Sequence, residues 1–293
     1  MIVRIDHVYI PDSTHVMVQW SLESVSEQGE YSFVVERSGS PSEWESVSGI
    51  LRDTYYYEDD LAGINVYSLD RDLYYRIRAV PPSGEDNEVY SDSVDLRGTP
   101  RPAITDSEPV VGLTVVQDGP TGSVSTPFLP RPKDGRRRVL VGRAIQRQAM
   151  IYFKHLDGQE LLLLKRRHYG WRCTDCFDPL TKTIVRSNCT TCYGTSWQGG
   201  YYAPYTLWGK VFRQPPRTIR TNTGKETAAG GGLIIMGFPR ITEGDLLVDP
   251  FNNERWLLEP GSDSRIRGIP YLQYPKASAV ARSDIEFDIP TTR

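Results

Sequence analysis

The sequence predicts a mainly β protein with one long helix, organised as an amino-terminal antiparallel β-sandwich, a four-cysteine module and a small carboxy-terminal β-barrel. Three observations support this fold class. Short alternating apolar segments separated by turn residues occupy both ends of the 293-residue chain. One segment has the periodicity of an amphipathic helix. All four cysteines lie between positions 173 and 192.

Residues 1–98 predict the sandwich. Segments 15–20, 31–36 and 73–80 alternate apolar and polar residues between turn-rich clusters. About seven short strands in about 100 residues are typical of such a fold. Trp20 on an early strand, and the Leu-x-Tyr-x-Ile-Arg-Ala-Val strand before a proline-rich turn, resemble a fibronectin type III domain. The resemblance implies that Tyr75 is a corner tyrosine whose hydroxyl bonds to the main chain.

Two functions fit this sandwich. It is either a spacer or display module without chemistry, or an adhesion domain that binds a sugar or protein through its loops. The sequence Tyr55-Tyr56-Tyr57 is the aromatic cluster available for adhesion. Three consecutive tyrosines also fit a strand with one buried member, and the display module is the simpler interpretation.

Residues 99–134 are rich in Pro, Gly, Ser and Thr and predict an extended linker. Prolines at this density block a regular helix or ladder. The apolar run 110–116 is a candidate single strand that adds to a sheet of a neighbouring subunit.

The long helix is predicted over residues 135–157, with Asp134 placed to cap its start and Gly158 to end it. One face of this helix is apolar and the opposite face is basic. The basic face suggests contact with DNA phosphates or an acidic protein surface, and an ordinary solvated face is the alternative. The apolar face comprises Val141, Ile145, Ala149, Tyr152 and Leu156, and the basic face comprises Arg136, Arg143, Arg147 and Lys154.

The cysteines form two Cys-x2-Cys pairs, Cys173 with Cys176 and Cys189 with Cys192, separated by twelve residues. This spacing places four thiolates at the corners of a tetrahedron, the coordination that structural zinc prefers. Disulfides and an iron–sulfur site are the alternatives. Four sulfur ligands leave the metal no open position, so the predicted Zn²⁺ is structural rather than catalytic.

The zinc module is predicted to span residues 170–205. Aromatic residues in 193–204 are expected to pack over it and form a subunit contact, with a stacking platform for single-stranded nucleic acid as the alternative. His168 is expected to be a surface residue, because four cysteines already complete the ligand set. The cations expected to temper the charge of a zinc tetrathiolate are Lys165, Arg166, Arg167 and Arg172.

The motifs of residues 136–205 follow one another in a specific order. A basic helix leads to an apolar strand ending in Arg-Arg, then to Gly-x-x-Cys-x-x-Cys at 170–176, and finally to Cys-x-x-Cys-Tyr-Gly-Thr-x-x-x-Gly-Gly-Tyr at 189–201. This order resembles the zinc-bearing structural proteins of tailed-bacteriophage virions. The resemblance implies a virion protein of the neck, where portal, connector and tail meet, or of the baseplate.

Residues 206–293 predict the small barrel. Strands are expected over 233–238, 245–249, 255–259 and 283–290, the second and third forming a hairpin, and 221–232 is expected to be an exposed flexible loop. The patterns at 244–249 and 255–258 are similar to those of head-tail connector barrels.

Charge and composition exclude several classes. The net charge of -3 is a sum over two regions: residues 1–98 hold 19 acidic residues against seven arginines, net -12, and residues 130–172 hold twelve cations against three acids, net +9. The apolar runs are too short to cross a bilayer, and no secretory signal is visible. The histidines are scattered at 7, 15, 155 and 168, and hydrolase motifs are lacking, so no enzymatic activity is expected.

These features together predict a structural subunit of a tailed-phage virion, assembled in the host cytoplasm as a homo-oligomeric ring around the DNA path at the neck or head-to-tail connector. Its expected partners are portal, adaptor and tail proteins, with non-specific DNA contact through the basic helix and no membrane contact. The alternatives are a baseplate or tail adhesion protein, and a sequence-independent nucleic-acid-binding zinc-ribbon protein.

Overall fold

A computed structural model describes residues 1–11, 14–25, 27–40, 43–61, 73–84, 87–96, 100–101, 144–178, 180–181, 183–186, 188–213, 217–221, 224–228, 231–266 and 269–291. Over these ranges the predicted fold class is confirmed: the chain is mainly β, with several antiparallel sheets, a closed barrel, one 14-residue helix and a four-cysteine cluster. None of the described helical residues belongs to a helix long and apolar enough to cross a bilayer.

The amino-terminal part is formed by two antiparallel sheets. Its strands are β1 (Ile2–Tyr9), β2 (His15–Glu23), β3 (Ser32–Ser40), β4 (Glu43–Ser46), β5 (Leu51–Arg52), β6 (Tyr56–Asp60), β7 (Tyr74–Val80), β8 (Val89–Tyr90), β9 (Ser93–Asp95) and β10 (Pro100–Arg101). One sheet has the order β1-β2-β6; the other has the order β10-β9-β7-β3-β4, with β5 beside β3 and β8 beside β7. Trp20, Phe33 and Ile77 lie in the buried core of this part, because alternation along the strands turns their side chains inward.

Tyr75 is fully buried, but its predicted bond to the main chain is wrong. Its hydroxyl donates to Asp59 Oδ2 at 2.7 Å, and Arg37 donates to the same oxygen at 2.8 Å. A buried carboxylate is a stronger hydrogen-bond acceptor than a neutral carbonyl. This explains why the Tyr75 hydroxyl donates to Asp59 rather than to the main chain.

The tyrosine triplet faces the inside of the molecule rather than solvent. Tyr55 is buried, and Tyr56 and Tyr57 are half-buried at the start of β6. The ring of Tyr55 lies 5.1 Å from that of Tyr202, and the ring of Tyr56 lies 5.4 Å from that of Tyr205. The strand interpretation therefore describes these residues, and they form no exposed adhesion cluster.

The carboxy-terminal part contains a closed six-stranded barrel with the order β11-β14-β17-β20-β19-β18, which confirms the predicted barrel. Strands β18 and β19 pair around a turn at 250–253, as predicted. Leu161, Leu207, Ile235, Leu247 and Leu258 form part of its core. The strands of this half of the chain are β11 (Gln159–Leu164), β12 (Phe177–Asp178), β13 (Thr183–Ile184), β14 (Tyr205–Arg213), β15 (Arg217–Thr221), β16 (Gly224–Ala228), β17 (Gly231–Met236), β18 (Asp245–Asp249), β19 (Glu254–Ile266) and β20 (Ile269–Ala279).

Two carboxy-terminal predictions are wrong. The segment 221–232 is not a simple loop, because β15 and β16 pair over five residues each as a separate hairpin. The expected last strand at 283–290 is a 3-10 turn, Ile285–Asp288. Arg255 Nη1 donates to the carbonyls of Glu286 and Ile289, so this segment packs against the closed barrel as a turn and does not pair as a strand.

The described part of the helix covers residues 144–157 and ends in a π-helical turn, Phe153–Asp157. It ends before Gly158, as predicted; a Cβ at Gly158 would lie 2.2 Å from the Phe153 carbonyl oxygen. The predicted apolar face is wrong for Tyr152 and Leu156, which are 44% and 76% exposed, whereas Gln146 and Phe153 are buried. Gln146 lies on the inward side, where its Nε2 donates to the Pro270 carbonyl, and the wider π turn changes the inward direction from Phe153 onward.

A line of aromatic contacts joins the sandwich to the rest of the chain. Tyr169 and Tyr202 lie in the sandwich core, and the ring of Tyr9 stacks on that of Phe238 at 5.5 Å. Gln19 bridges to the backbone of Arg240 in both directions, donating to its carbonyl and accepting from its N–H. The predicted linker 99–134 lies outside the described residues apart from β10, which extends the sandwich sheet, and the predicted domain boundaries stay predictions.

Candidate metal centre

Each Cys-x2-Cys pair sits in a tight turn that points both sulfurs the same way. The Phe177 N–H donates to the Cys173 carbonyl at 3.1 Å, and the Tyr193 N–H donates to the Cys189 carbonyl at 2.8 Å. Tyr193 and Gly194 have positive φ, which turns the chain sharply after the second pair. The local sequence therefore builds two similar turns that can face each other.

The four sulfurs converge on one point. Cys173, Cys176, Cys189 and Cys192 are all buried, and their Sγ atoms lie within 4.8 Å of one another. Cys173 Sγ lies 3.6 Å from Cys189 Sγ, and Cys176 Sγ lies 3.2 Å from Cys192 Sγ. A disulfide needs about 2.05 Å, and all four thiols are free. Tetrahedral Zn–S bonds of about 2.3 Å imply sulfur separations of roughly 3.8 Å, so the set fits a metal of that size.

The electrostatics of the cluster also fit a cation at its centre. Burial, followed by hydrogen bonding to Cys192 and Cys173, raises the pKa of the Cys176 thiol, and burial raises the pKa of Cys192. Burial acts in the same direction on Cys189, but backbone N–H groups of Thr191 and Cys192 donate towards it and lower its pKa to about 7. Four close thiolates repel one another, and a bound cation would favour their ionised forms.

The chain between and after the two cysteine pairs closes over the cluster. Strands β12 and β13 form a short hairpin between them, and the Val185 N–H donates to the Cys176 carbonyl at 2.7 Å. Arg172 stacks on the Trp197 ring at 3.6 Å and donates to Ser196 Oγ at 2.8 Å. The Cys173 N–H donates to the Ser196 carbonyl, so the entry and exit of the segment are joined.

Of the four cations expected near the cysteines, Arg172 lies in the four-cysteine segment (residues 169–202), and Lys165 and Arg167 are engaged elsewhere. Arg166 is half-buried, and its backbone pairs with that of Tyr201. Lys165 is buried and donates to Asp245 Oδ2 at 2.6 Å, to Thr242 Oγ1 and to the Arg240 carbonyl. Arg167 pairs with Asp53 of the sandwich and stacks on Tyr202 at 4.7 Å. His168 is exposed and belongs to no cysteine cluster, as expected for a surface residue.

The aromatic residues after the second pair join parts of one chain, which corrects the expected subunit contact for three of them. Trp197, Tyr201 and Tyr202 are all buried. Tyr202 packs in the sandwich core, and Tyr201 packs with Leu164, Leu246 and Val248 of the barrel. Because their ring faces are covered, these three residues cannot form a stacking platform for nucleic acid.

The structure describes two of the four predicted basic-face residues. Arg147 and Lys154 are both exposed on the helix and lie seven positions apart, nearly two turns, which places them on the same side. Arg136 and Arg143 lie outside the described residues. The described part of the predicted face is thus available to a partner.

Sequence reasoning missed the residues that hold the four-cysteine segment to its neighbours. Tyr169 packs edge-on against Tyr31 at 5.6 Å and Phe33 at 5.7 Å, and its hydroxyl donates to the Thr54 carbonyl. The buried Lys165–Asp245 pair joins the end of β11 to the start of β18. A lysine directly after four leucines was the available signal, since a cation at the end of a buried strand needs a buried partner.

Comparisons with known proteins leave this chain without an assigned family. No family model matches it, and no curated protein matches it. Among solved structures, pectate lyase Pel3 from Pectobacterium carotovorum is similar over 38% of this chain and 29% of that chain, with 14% sequence identity and a TM-score of 0.26. The similarity spans less than a third of the lyase, and it supports no statement about fold or activity here.

Proposed function

We propose that this chain is a structural subunit of a tailed-phage virion, located at the neck or head-to-tail connector and assembled as a ring around the DNA path. The observation that carries the proposal is the position of the segment that resembles phage proteins. That segment lies at the junction of the molecule, sending Tyr169 and Tyr202 into the sandwich and Tyr201 and Lys165 into the barrel wall. Such a junction would suit a subunit that links two neighbouring parts of a virion.

The flanking parts also support this role. A three-stranded sheet packed on a larger one is in keeping with a fibronectin type III-like display domain. The closed six-stranded barrel is in keeping with the connector-like barrel suggested by residues 244–258. The proposed partners are further copies of the chain and the portal, adaptor and tail proteins of the virion.

We further propose that Cys173, Cys176, Cys189 and Cys192 hold one structural Zn²⁺. The support is four buried, mutually close sulfurs with no disulfide among them. When bound, the metal would cross-link two turns that are connected through an exposed hairpin. The chain's own backbone orients the sulfurs. The N–H groups of Thr191 and Cys192 donate towards the Cys189 sulfur, and the Cys173 N–H donates to the Ser196 carbonyl.

Metal analysis of the purified chain tests the zinc proposal. We expect one zinc per chain in the native protein and less than a tenth of that in Cys173→Ser/Cys176→Ser. The matched control is Thr190→Ser, which changes an exposed residue beside Cys189 and should keep the full zinc content. A native chain that purifies with iron, or without metal at neutral pH and with zinc supplied, contradicts the proposal.

Quantitative mass spectrometry of purified virus particles tests the virion proposal. The chain should be present at several copies per portal ring, and a reconstruction of the particle should place it at the neck. Absence from particles, or a single copy, contradicts the ring, and a position in the baseplate contradicts the neck assignment.

The exposed cations of the helix are proposed to face DNA in this ring. Replacing Arg147 and Lys154 by glutamine should weaken binding to duplex DNA uniformly across sequences and reduce the salt slope by about 2. Arg52→Gln on the sandwich is the control, because this exposed arginine lies in the acidic part of the chain. An unchanged slope would favour an acidic portal surface as the partner of this face.

A further inference from the structure

The hairpin β15–β16 forms a two-stranded sheet of its own. Its strands Arg217–Thr221 and Gly224–Ala228 are paired along their whole length. Within the part of the chain that the structure describes, neither strand pairs with the barrel or with the sandwich. Strands of five residues, at about 3.4 Å per residue, give a ribbon roughly 17 Å long. Pairing within the larger sheets therefore does not explain the residue types of this ribbon.

Alternation divides the ribbon into two chemically different faces. Residues directly opposite each other in an antiparallel pair share a face, and so does every second residue along a strand. One face, which we call the donor face, carries only residues with N–H or O–H donors, whereas the other mixes Arg217, Ile219 and Glu226 with smaller residues. The donor face comprises Thr218, Arg220, Lys225 and Thr227.

The donor face holds two cations at directly paired positions. Arg220 is opposite Lys225, whereas Glu226, the acidic residue of these two strands, is opposite Ile219 on the other face. Like charges directly opposite each other destabilise an antiparallel pair. An anion bound between them removes this repulsion, so the register indicates a negatively charged ligand.

The ribbon connects to the barrel at the end where the helix stops. Gly209 of β14 is opposite Gln159, the first residue of β11, and Lys210 pairs with Asp157 at the end of the helix. From there β14 continues towards the ribbon, and β17 returns from it beside β14.

The barrel at this end is mixed in charge, because Glu160 and Glu254 are exposed there as well as the helix residue Lys154. The donor face differs in having cations and no acidic residue. We therefore assign the anion site to the ribbon and not to the end of the barrel.

We propose that the donor face of β15–β16 contacts the phosphate backbone of duplex DNA. Phosphate oxygens accept hydrogen bonds from Arg, Lys and Thr, the residue types of this face, and such contacts carry no sequence information. A two-stranded β-ribbon fits the major groove of B-DNA. An acidic protein surface is less favoured, because protein interfaces bury an apolar core and the donor face has no apolar residue. Only the position of this contact on the DNA path of a virion rests on the proposed function.

Salt-dependent DNA binding by the purified, metal-loaded full chain tests this contact. Fluorescence anisotropy follows binding to two duplexes of unrelated sequence, each about 30 base pairs long, between about 50 and 200 mM NaCl. Arg220→Gln and Arg217→Gln are matched variants, because each removes one arginine from the same strand but from opposite faces. Zinc content and the unfolding midpoint verify that each variant is folded.

We expect Arg220→Gln to reduce the slope of log binding constant against log salt by about 1 for both duplexes, and Arg220→Gln/Lys225→Gln to reduce it by about 2. Arg217→Gln should change the slope clearly less than Arg220→Gln. A native chain that does not bind DNA, a folded double variant with the native slope, or equal effects of the two arginines would overturn the contact.

Binding to poly-glutamate separates DNA from an acidic protein surface. If the double variant loses binding to poly-glutamate but keeps the native DNA slope, the donor face contacts an acidic protein and the DNA contact is overturned. The virion proposal is tested independently by the number of copies in virus particles, which none of these binding results changes.

Discussion

The sandwich and the four-cysteine segment reach a buried interior by opposite means. The sandwich buries Trp20, Phe33 and Ile77 between two sheets, so its large apolar side chains form its own core. The four-cysteine segment buries four sulfurs and leaves Leu180, Ile184 and Val185 exposed. A segment that a metal can hold does not need its apolar side chains for its own core. Those side chains are then free for contacts with other surfaces.

The four-cysteine segment also contributes residues to the core of the sandwich. Tyr169 and Tyr202 are close in sequence to the cysteine pairs, yet both lie in the sandwich core. Arg167 adds an ion pair with Asp53 on the sandwich surface. The two regions therefore differ in how they are stabilised but share an aromatic interface.

Metal removal should produce the largest difference between the two regions, because it should destabilise the four-cysteine segment far more than the sandwich. Structural zinc contributes about 10–16 kcal/mol of binding free energy in small sites, and we expect a chelator to abolish amide protection across residues 173–196. Strands β2 and β3 should keep most of their protection, because their core is apolar. Hydrogen-exchange mass spectrometry measures both regions at once, and re-addition of zinc should restore the segment. Equal loss in both regions would show that the sandwich also depends on the metal.

The buried ion pair at the junction should give the next largest effect. Lys165→Met leaves the fully buried Asp245 without its cation, and we expect a loss of about 3–5 kcal/mol in the free energy of unfolding. Lys165→Met/Asp245→Asn should recover much of this loss, because no buried charge remains and the carbonyl oxygen of the introduced asparagine can still accept from Thr242 or Arg166. Urea unfolding is the measurement. The control Lys210→Met removes an exposed pair with Asp157 and should leave the urea midpoint close to that of the native chain; equal losses would refute the distinction.

His7 should make the contact between sandwich and barrel sensitive to acid. Burial, with Arg240 and Arg265 nearby, lowers its pKa to about 4, against the opposing effects of the Gly237 backbone and Asp263. The unfolded chain binds a proton near pH 6.5, so this contribution is complete above that pH and is lost as the pH falls towards 4. Between pH 7 and pH 5 we expect a loss of about 2 kcal/mol, absent in His7→Gln. Identical pH profiles of the two chains in urea unfolding would contradict this.

The smallest expected effect lies within the sandwich. Tyr75→Phe removes one hydrogen bond to Asp59 but leaves the carboxylate paired with Arg37, so we expect a loss of about 1 kcal/mol. Tyr90→Phe, at an exposed tyrosine, should change the free energy of unfolding by less than about 0.5 kcal/mol. A loss at Tyr75 as large as that at Lys165 would mean that the sandwich also depends on a buried polar network.

Sequence reasoning succeeded where a local pattern carries the information. Alternation predicted the strands that became β2, β3 and β7, and the two Cys-x2-Cys pairs predicted a cluster that the fold brings together. It failed where a distant partner decides the conformation. The segment 283–290 alternates like a strand, yet Arg255 holds it as a 3-10 turn. Leu156 lies in the π turn Phe153–Asp157 and is exposed.

The sandwich strands β2, β3 and β7, the cysteine cluster and the opposite charges of the two regions could be read from residue types and spacing, because alternation, turn residues and cysteine spacing are local properties. The tertiary structure alone decided that Tyr169 and Tyr202 complete the sandwich core, that Lys165 meets Asp245 across 80 positions, and that Leu156 at the end of the helix is exposed. These outcomes depend on barrel closure and on docking between distant segments. Because many pairings of such segments satisfy the same local pattern, packing in three dimensions selects among them.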